Sequence, residues 1–169
     1  ATVIDGSANA VSGNAVVDGS ILEWYKTSYI EDPKERRGFD GNYWIWESCD
    51  YSKNYIVVAD VARGDGSDYS TFHVIDVESI TQVAEYRGQL TPKDFGNMLV
   101  GVATEYNDAL LVIENASVGF GSIQSAIDRG YKNLYYTFRN EGVTDATTQL
   151  TKGYDLKDKS QMTPGFTTS

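Results

Sequence analysis

Two acidic residues each close a strongly apolar run. Tyr55-Ile56-Val57-Val58-Ala59 ends at Asp60, and Ala109-Leu110-Leu111-Val112-Ile113 ends at Glu114. A glycine-containing loop follows each. In α/β sheets, ligands collect beyond the carboxyl ends of the strands, so if these two strands are neighbours both carboxylates stand at one sheet edge. Carboxylates brought together repel unless a proton or a cation compensates. The chain has one His and one Cys, which leaves oxygen atoms as the available ligands and selects Mg²⁺ or Mn²⁺ over zinc. Asp65 and Asp68, in the loop after Asp60, can add oxygens from the same side.

Other readings of these residues stay open. An Asp at a strand-to-loop boundary is often a turn former, and Glu114 before Asn115 could make local backbone contacts. The Gly64-Asp65-Gly66 stretch could cradle a phosphate through its amides, but no Lys follows it and no GxxxxGK[ST] occurs in the chain. The spacing from Asp60 to Asp68 is not that of an EF-hand. His73 lies within a strand pattern and reads as a packed or edge histidine rather than a base.

Composition narrows the setting. The 169 residues carry a net charge of −10, so any nucleic-acid contact needs a local basic patch or bridging cations. Arg63, Lys132, Arg139 and Lys152 are the candidates for such a face. The single Cys49 excludes a disulfide scaffold. The apolar runs are too short to cross a bilayer, and no charged segment precedes an apolar one as in a secretory signal. The expectation is a soluble protein that is not secreted and contacts no membrane.

The elements that must hold the acidic pair follow from periodicity. Residues 1–20 read as two short extended pieces, and Ile21 to Tyr29 as a helix with Ser20 capping and Glu23 completing a capping box. Glu31 to Asn42 reads as an exposed loop, and Tyr43 to Glu47 as a strand. The run ending at Asp60 is followed by strands over Thr71–Asp76 and Thr81–Arg87; their short connections imply antiparallel neighbours. Thr91 caps a helix with Pro92 at its first position, running to about Tyr106 with Phe95, Leu99, Val102, Ala103 and Tyr106 on one face. The strand ending at Glu114, a helix from Gly119 to about Arg129 stopped by Gly130, and a strand over Leu134–Thr137 complete the order. Three meandering strands followed by helix-linked strands predict an α/β fold, a mixed sheet flanked by helices.

Two blocks carry a family resemblance. Tyr43-Trp44-Ile45-Trp46-Glu47 ahead of Tyr55 to Tyr69, and Leu111-Val112-Ile113-Glu114-Asn115-Ala116-Ser117-Val118-Gly119, resemble the nuclease domain of tailed-phage terminase large subunits. The end from Thr163 to Ser169 does so as well, and Asn14 to Tyr25 looks like the segment joining the packaging ATPase to that domain. The resemblance implies a ribonuclease H-like fold over residues 43–169, with residues 1–42 an extension or linker toward an ATPase domain. It implies that Asp60 is the central metal-bridging carboxylate, Glu114 a second ligand, and Asp68 a further ligand or supporting group. It implies a site for two cations, Mg²⁺ or Mn²⁺, and cutting of double-stranded DNA concatemers during genome packaging in the host-cell cytoplasm. The phage portal and the small terminase subunit are the implied partners. The family carries a third acidic ligand on a later helix, in a region that should begin near Ser169. The expectation is therefore a C-terminally incomplete domain that cuts weakly or not at all. Two alternatives accompany this reading: a non-catalytic DNA- or portal-docking module, and an actin-like nucleotide-binding domain.

Overall fold

The computed structural model describes residues 16–138 and 162–167. It divides the chain into two units between Pro33 and Lys34. In the first unit, α1 spans Gly19–Ser28, and none of its residues is buried. Its cap is Asp18, whose carboxylate accepts from the Ser20 N–H at 2.8 Å. The expected Ser20–Glu23 capping box is thus displaced, because Asp18 reaches the first free amides earlier and with a charge.

The second unit contains β1 (Glu35–Arg37), β2 (Tyr43–Ile45), β3 (Tyr55–Asp60), β4 (Ser70–Asp76) and β5 (Thr81–Gly88). These are followed by α2 (Pro92–Glu105), β6 (Leu110–Ile113), α3 (Gly119–Asp128), β7 (Tyr136–Phe138) and β8 (Met162–Pro164). Six strands form one mixed sheet in the order β1-β2-β5-β4-β3-β6. The β3-β4-β5 meander is antiparallel as expected, and β6 returns parallel to β3 after α2. Leu134 forms a parallel bridge to Leu111 beyond β6, after which β7 pairs with β8. This is the expected α/β architecture.

One expectation fails at β1. The segment read as loop contains the sheet's edge strand, Glu35–Arg37. All three β1 residues are exposed, and no hydrophobic alternation marks them. Main-chain pairing to β2 forms the strand. Arg36 stacking on Trp44 at 4.4 Å and Arg37 binding Glu105 at 2.7 Å anchor it.

Alternation along the strands decides which face is covered. Tyr55, Val57 and Ala59 of β3 and Phe72 and Val74 of β4 are buried, whereas Ile56, Val58 and His73 between them are half-buried. The buried face receives α2, whose Phe95 stacks with Phe72 and Tyr86 at ring separations of 6.4 and 5.9 Å. The first helix turn is fixed by the Thr91 hydroxyl accepting from the Asp94 N–H at 3.2 Å. The second helix, α3, packs on α2: the Ser122 hydroxyl donates to the Pro92 carbonyl at 2.5 Å and that of Ser125 to Lys93 at 3.2 Å. Gly96 permits this approach, since a β-carbon there would meet Ser122. Both helices therefore serve one face. Asp60 follows the alternation of Ile56 and Val58, and so stands on the other.

Candidate metal centre

Parallel pairing brings the two acidic residues together. Ala59 is in register with Ile113, and the Glu114 N–H donates to the Ala59 carbonyl at 3.0 Å. Asp60 and Glu114 therefore leave adjoining strands at the same carboxyl edge, close enough for the Glu114 carboxyl to act on that of Asp60. Burial against the protein, then the hydrogen bond and negative charge of Glu114, hold the Asp60 carboxyl above the ordinary carboxylate range, against a lowering contribution from the Val61 N–H. Asp60 is nonetheless an exposed residue, so a cation can reach it. Oxygen donors, mutual repulsion and access from solvent fit a hard divalent cation such as Mg²⁺ or Mn²⁺.

The backbone around Glu114 is held from three directions. On one side is β3. On another, residues 162–167 return: the Phe166 N–H donates to Ile113 at 3.0 Å and the Asn115 N–H donates to Phe166 at 2.8 Å. The Asn115 side chain reinforces this, donating to the Pro164 carbonyl at 3.2 Å and accepting from the Thr167 hydroxyl at 2.7 Å. Gly165, at φ +79°, lies where a β-carbon would strike the Ile113 carbonyl. On the third side Gly119 opens α3 against the Glu114 carbonyl, leaving no room for a side chain.

The loop leaving Asp60 is pinned to the start of β4 and the end of β5. The Ala62 N–H donates to the Ser70 hydroxyl at 2.9 Å. Gln89 donates to the Gly66 carbonyl. Arg87 stacks over the Tyr69 ring at 3.8 Å. Asp65 and Asp68 are exposed on this loop. Among the described residues no three His, Cys, Asp or Glu side chains gather as a metal cage.

The remaining expected site residues are dispersed. Arg63 is exposed on the loop after Asp60. Lys132 precedes Leu134, whose bridge to Leu111 is parallel; it therefore lies toward the start of β6, at the end of the sheet away from Glu114. Arg139 and Lys152 lie outside the described residues. His73 is level with Val58 in mid-sheet, its ring nitrogen 3.1 Å from the Gln82 side-chain oxygen. Asn115 and the Arg87–Tyr69 stack escaped the sequence reading. The Pro164-Gly165 pair was the one local sign that the chain turns near Glu114.

No protein-family model matches the chain, and no curated protein matches it. Solved structures do. The mixed sheet with its helices has the ribonuclease H-like fold shared by large terminase nucleases. The large terminase nuclease from thermophilic phage G20c with bound magnesium matches at TM-score 0.51 and 25% identity, over 60% of this chain and 52% of that one. The same nuclease with bound cobalt gives the same values; with bound zinc the match covers 57% of that chain. This chain thus spans little more than half the length of those nucleases. The likeness supports a terminase nuclease domain, in agreement with the resemblance carried by residues 43–69 and 111–119.

Proposed function

We propose that this chain is a divalent-metal-dependent endonuclease domain of a phage packaging terminase, acting on double-stranded DNA. The observation that carries the reading is the Asp60–Glu114 carboxyl pair at the carboxyl edge of β3 and β6, in a fold similar to that of terminase nucleases. Asp60 is the bridging ligand, Glu114 the second, and Asp68 the further acidic group carried on the exposed loop. Mg²⁺ or Mn²⁺ bound there would activate a water and stabilise the leaving oxygen.

The protein's own part is positional and electrostatic. Strand pairing and the 162–167 segment fix Glu114, so its carboxylate enters the site with little freedom to lose. Exposure of Asp60 leaves room for a phosphodiester. Because the Asp60 carboxyl keeps its proton above the ordinary carboxylate range, cation binding must displace it, and activity rises with pH as Asp60 ionises. The substrate we infer is concatemeric DNA, with the portal and small terminase subunit as partners in the host-cell cytoplasm and residues 1–42 as the link to an ATPase domain. Plasmid nicking in Mn²⁺ by the wild type and Asp60→Asn tests the reading. The expected result is nicking that Asp60→Asn abolishes; equal nicking by both removes Asp60 from the mechanism.

A second reading, a docking module without catalysis, is favoured by the absence of a third grouped carboxylate among the described residues. It expects DNA binding that Glu114→Ala leaves intact, with no Mn²⁺-dependent nicking.

A further inference from the structure

The sheet face opposite α2 carries a cation in line with the acidic pair. Asp60 is paired with Thr71, and Thr71 with Arg87, so the three form one row across β3, β4 and β5. Paired residues share a face, which places Arg87 on the side of Asp60, two strand spacings or about 10 Å away. Its guanidinium carbon lies 3.8 Å from the centroid of the Tyr69 ring. The cation–π contact holds the group in place, and a guanidinium held by one face keeps the N–H donors at its edge for two parallel bonds to one phosphate. Tyr69 is 40% exposed and Arg87 is exposed, so both are open to solvent. Among the described residues Arg87 has no carboxylate partner. In a chain of net charge −10, an arginine with no carboxylate partner among the described residues, on the face of the Asp60 carboxylate, is where a polyanion can be held.

We propose that Arg87, stacked on Tyr69, binds a DNA backbone phosphate flanking the one presented to Asp60 and Glu114. A separation of about 10 Å makes this a phosphate close to the one that is cut but distinct from it. The assignment rests on the nuclease reading for the position of the DNA.

The test is a KCl titration of binding to a fluorescein-labelled duplex in EDTA, where no cutting occurs, with the wild type, Arg87→Ala and Arg87→Lys. Loss of one phosphate contact makes the log–log salt slope shallower by about 0.9 and, at 0.1 M salt, weakens binding about 8-fold. That is the result expected for Arg87→Ala at an unchanged melting temperature, with Arg87→Lys keeping the wild-type slope. A structural pin alone would not move the slope. Equal slopes and affinities for wild type and Arg87→Ala overturn the assignment. So does a wild type that binds no duplex, and so does a loss shared by Arg87→Lys together with a lowered melting temperature. Mn²⁺ nicking by wild type and Asp60→Asn, run in parallel, separates the two ideas: equal nicking sinks the nuclease reading, and equal slopes sink the Arg87 contact.

Discussion

Asp60 and Glu114 stand side by side at the carboxyl edge of two adjoining parallel strands, and the Glu114 N–H is tied to the carbonyl of Ala59, 3.0 Å away. The backbone thus enforces an approach that the side chains resist. That resistance is what a bound cation relieves.

Removing one of the two charges should stabilise the metal-free protein. Asp60→Asn keeps a hydrogen-bonding side chain and abolishes the repulsion; because Asp60 is exposed and screened, the gain is about 1 kcal/mol or less. At this chain length that is a rise of roughly 2–4 °C in melting temperature. The Asp60 carboxyl sits above its usual range when folded, so its stabilising share is complete below the unfolded value and disappears as pH rises through the folded one. The advantage of Asp60→Asn therefore grows from acid to neutral pH. Melts in EDTA that show the wild type as the more stable at pH 7 would contradict this.

Asp76 has the opposite sign. It is 1% exposed and accepts from Lys53 at 3.0 Å and from the Glu78 N–H at 3.0 Å. Burial alone pushes its carboxyl up, but the bonds from Lys53, Glu78 and Ser79 together hold it below the ordinary value. Its contribution is present above the unfolded carboxylate pKa and is lost as pH falls through the lower folded one, below about pH 4. Asp76→Asn should cost about 2–3 kcal/mol at pH 7 in urea unfolding and flatten the acid limb. An acid limb as steep as the wild type's would count against Asp76 as its source.

Ile80 sits at φ +52° in the β4–β5 turn with 84% of its surface exposed. A β-branched residue pays for that conformation with no packing in return. Ile80→Gly should raise stability by about 1 kcal/mol, read as a higher urea midpoint at unchanged slope. A lower midpoint would show that the turn prefers Ile80.

Asn115→Ala removes the ties to Pro164 and Thr167 while leaving both acidic residues in place. The Phe166 amide, bonded to Ile113, should exchange with solvent faster, and Mn²⁺ affinity should fall about 10-fold, as when a supporting partner of a ligand is lost. Exchange and affinity both unchanged would mean that the returning segment does not brace Glu114.

How much of this was legible follows from range. Asp60 and Glu114 could be read because each ends a local apolar run, and the Thr91-Pro92 start of α2 because capping is local chemistry. Pairing of β3 with β6 stayed conditional at that level, because the meander and the intervening helix allow it without requiring it. The edge strand β1 could not be read: Glu35, Arg36 and Arg37 are exposed, and a strand formed by main-chain pairing leaves no pattern in residue type. Nor could the seating of Phe166 beside Ile113, which joins distant parts of the chain through backbone bonds. The placement of both helices on one face depended on tertiary packing at Gly96 and Ser122, to which helical periodicity is blind.

The central claim, that Asp60 and Glu114 jointly hold a divalent cation, is tested most directly by Mn²⁺ titration followed by electron paramagnetic resonance on the wild type, Asp60→Asn and Glu114→Gln. The account expects saturable binding by the wild type and at least about a 10-fold loss of affinity in each variant. Wild-type affinity retained in both variants would contradict it.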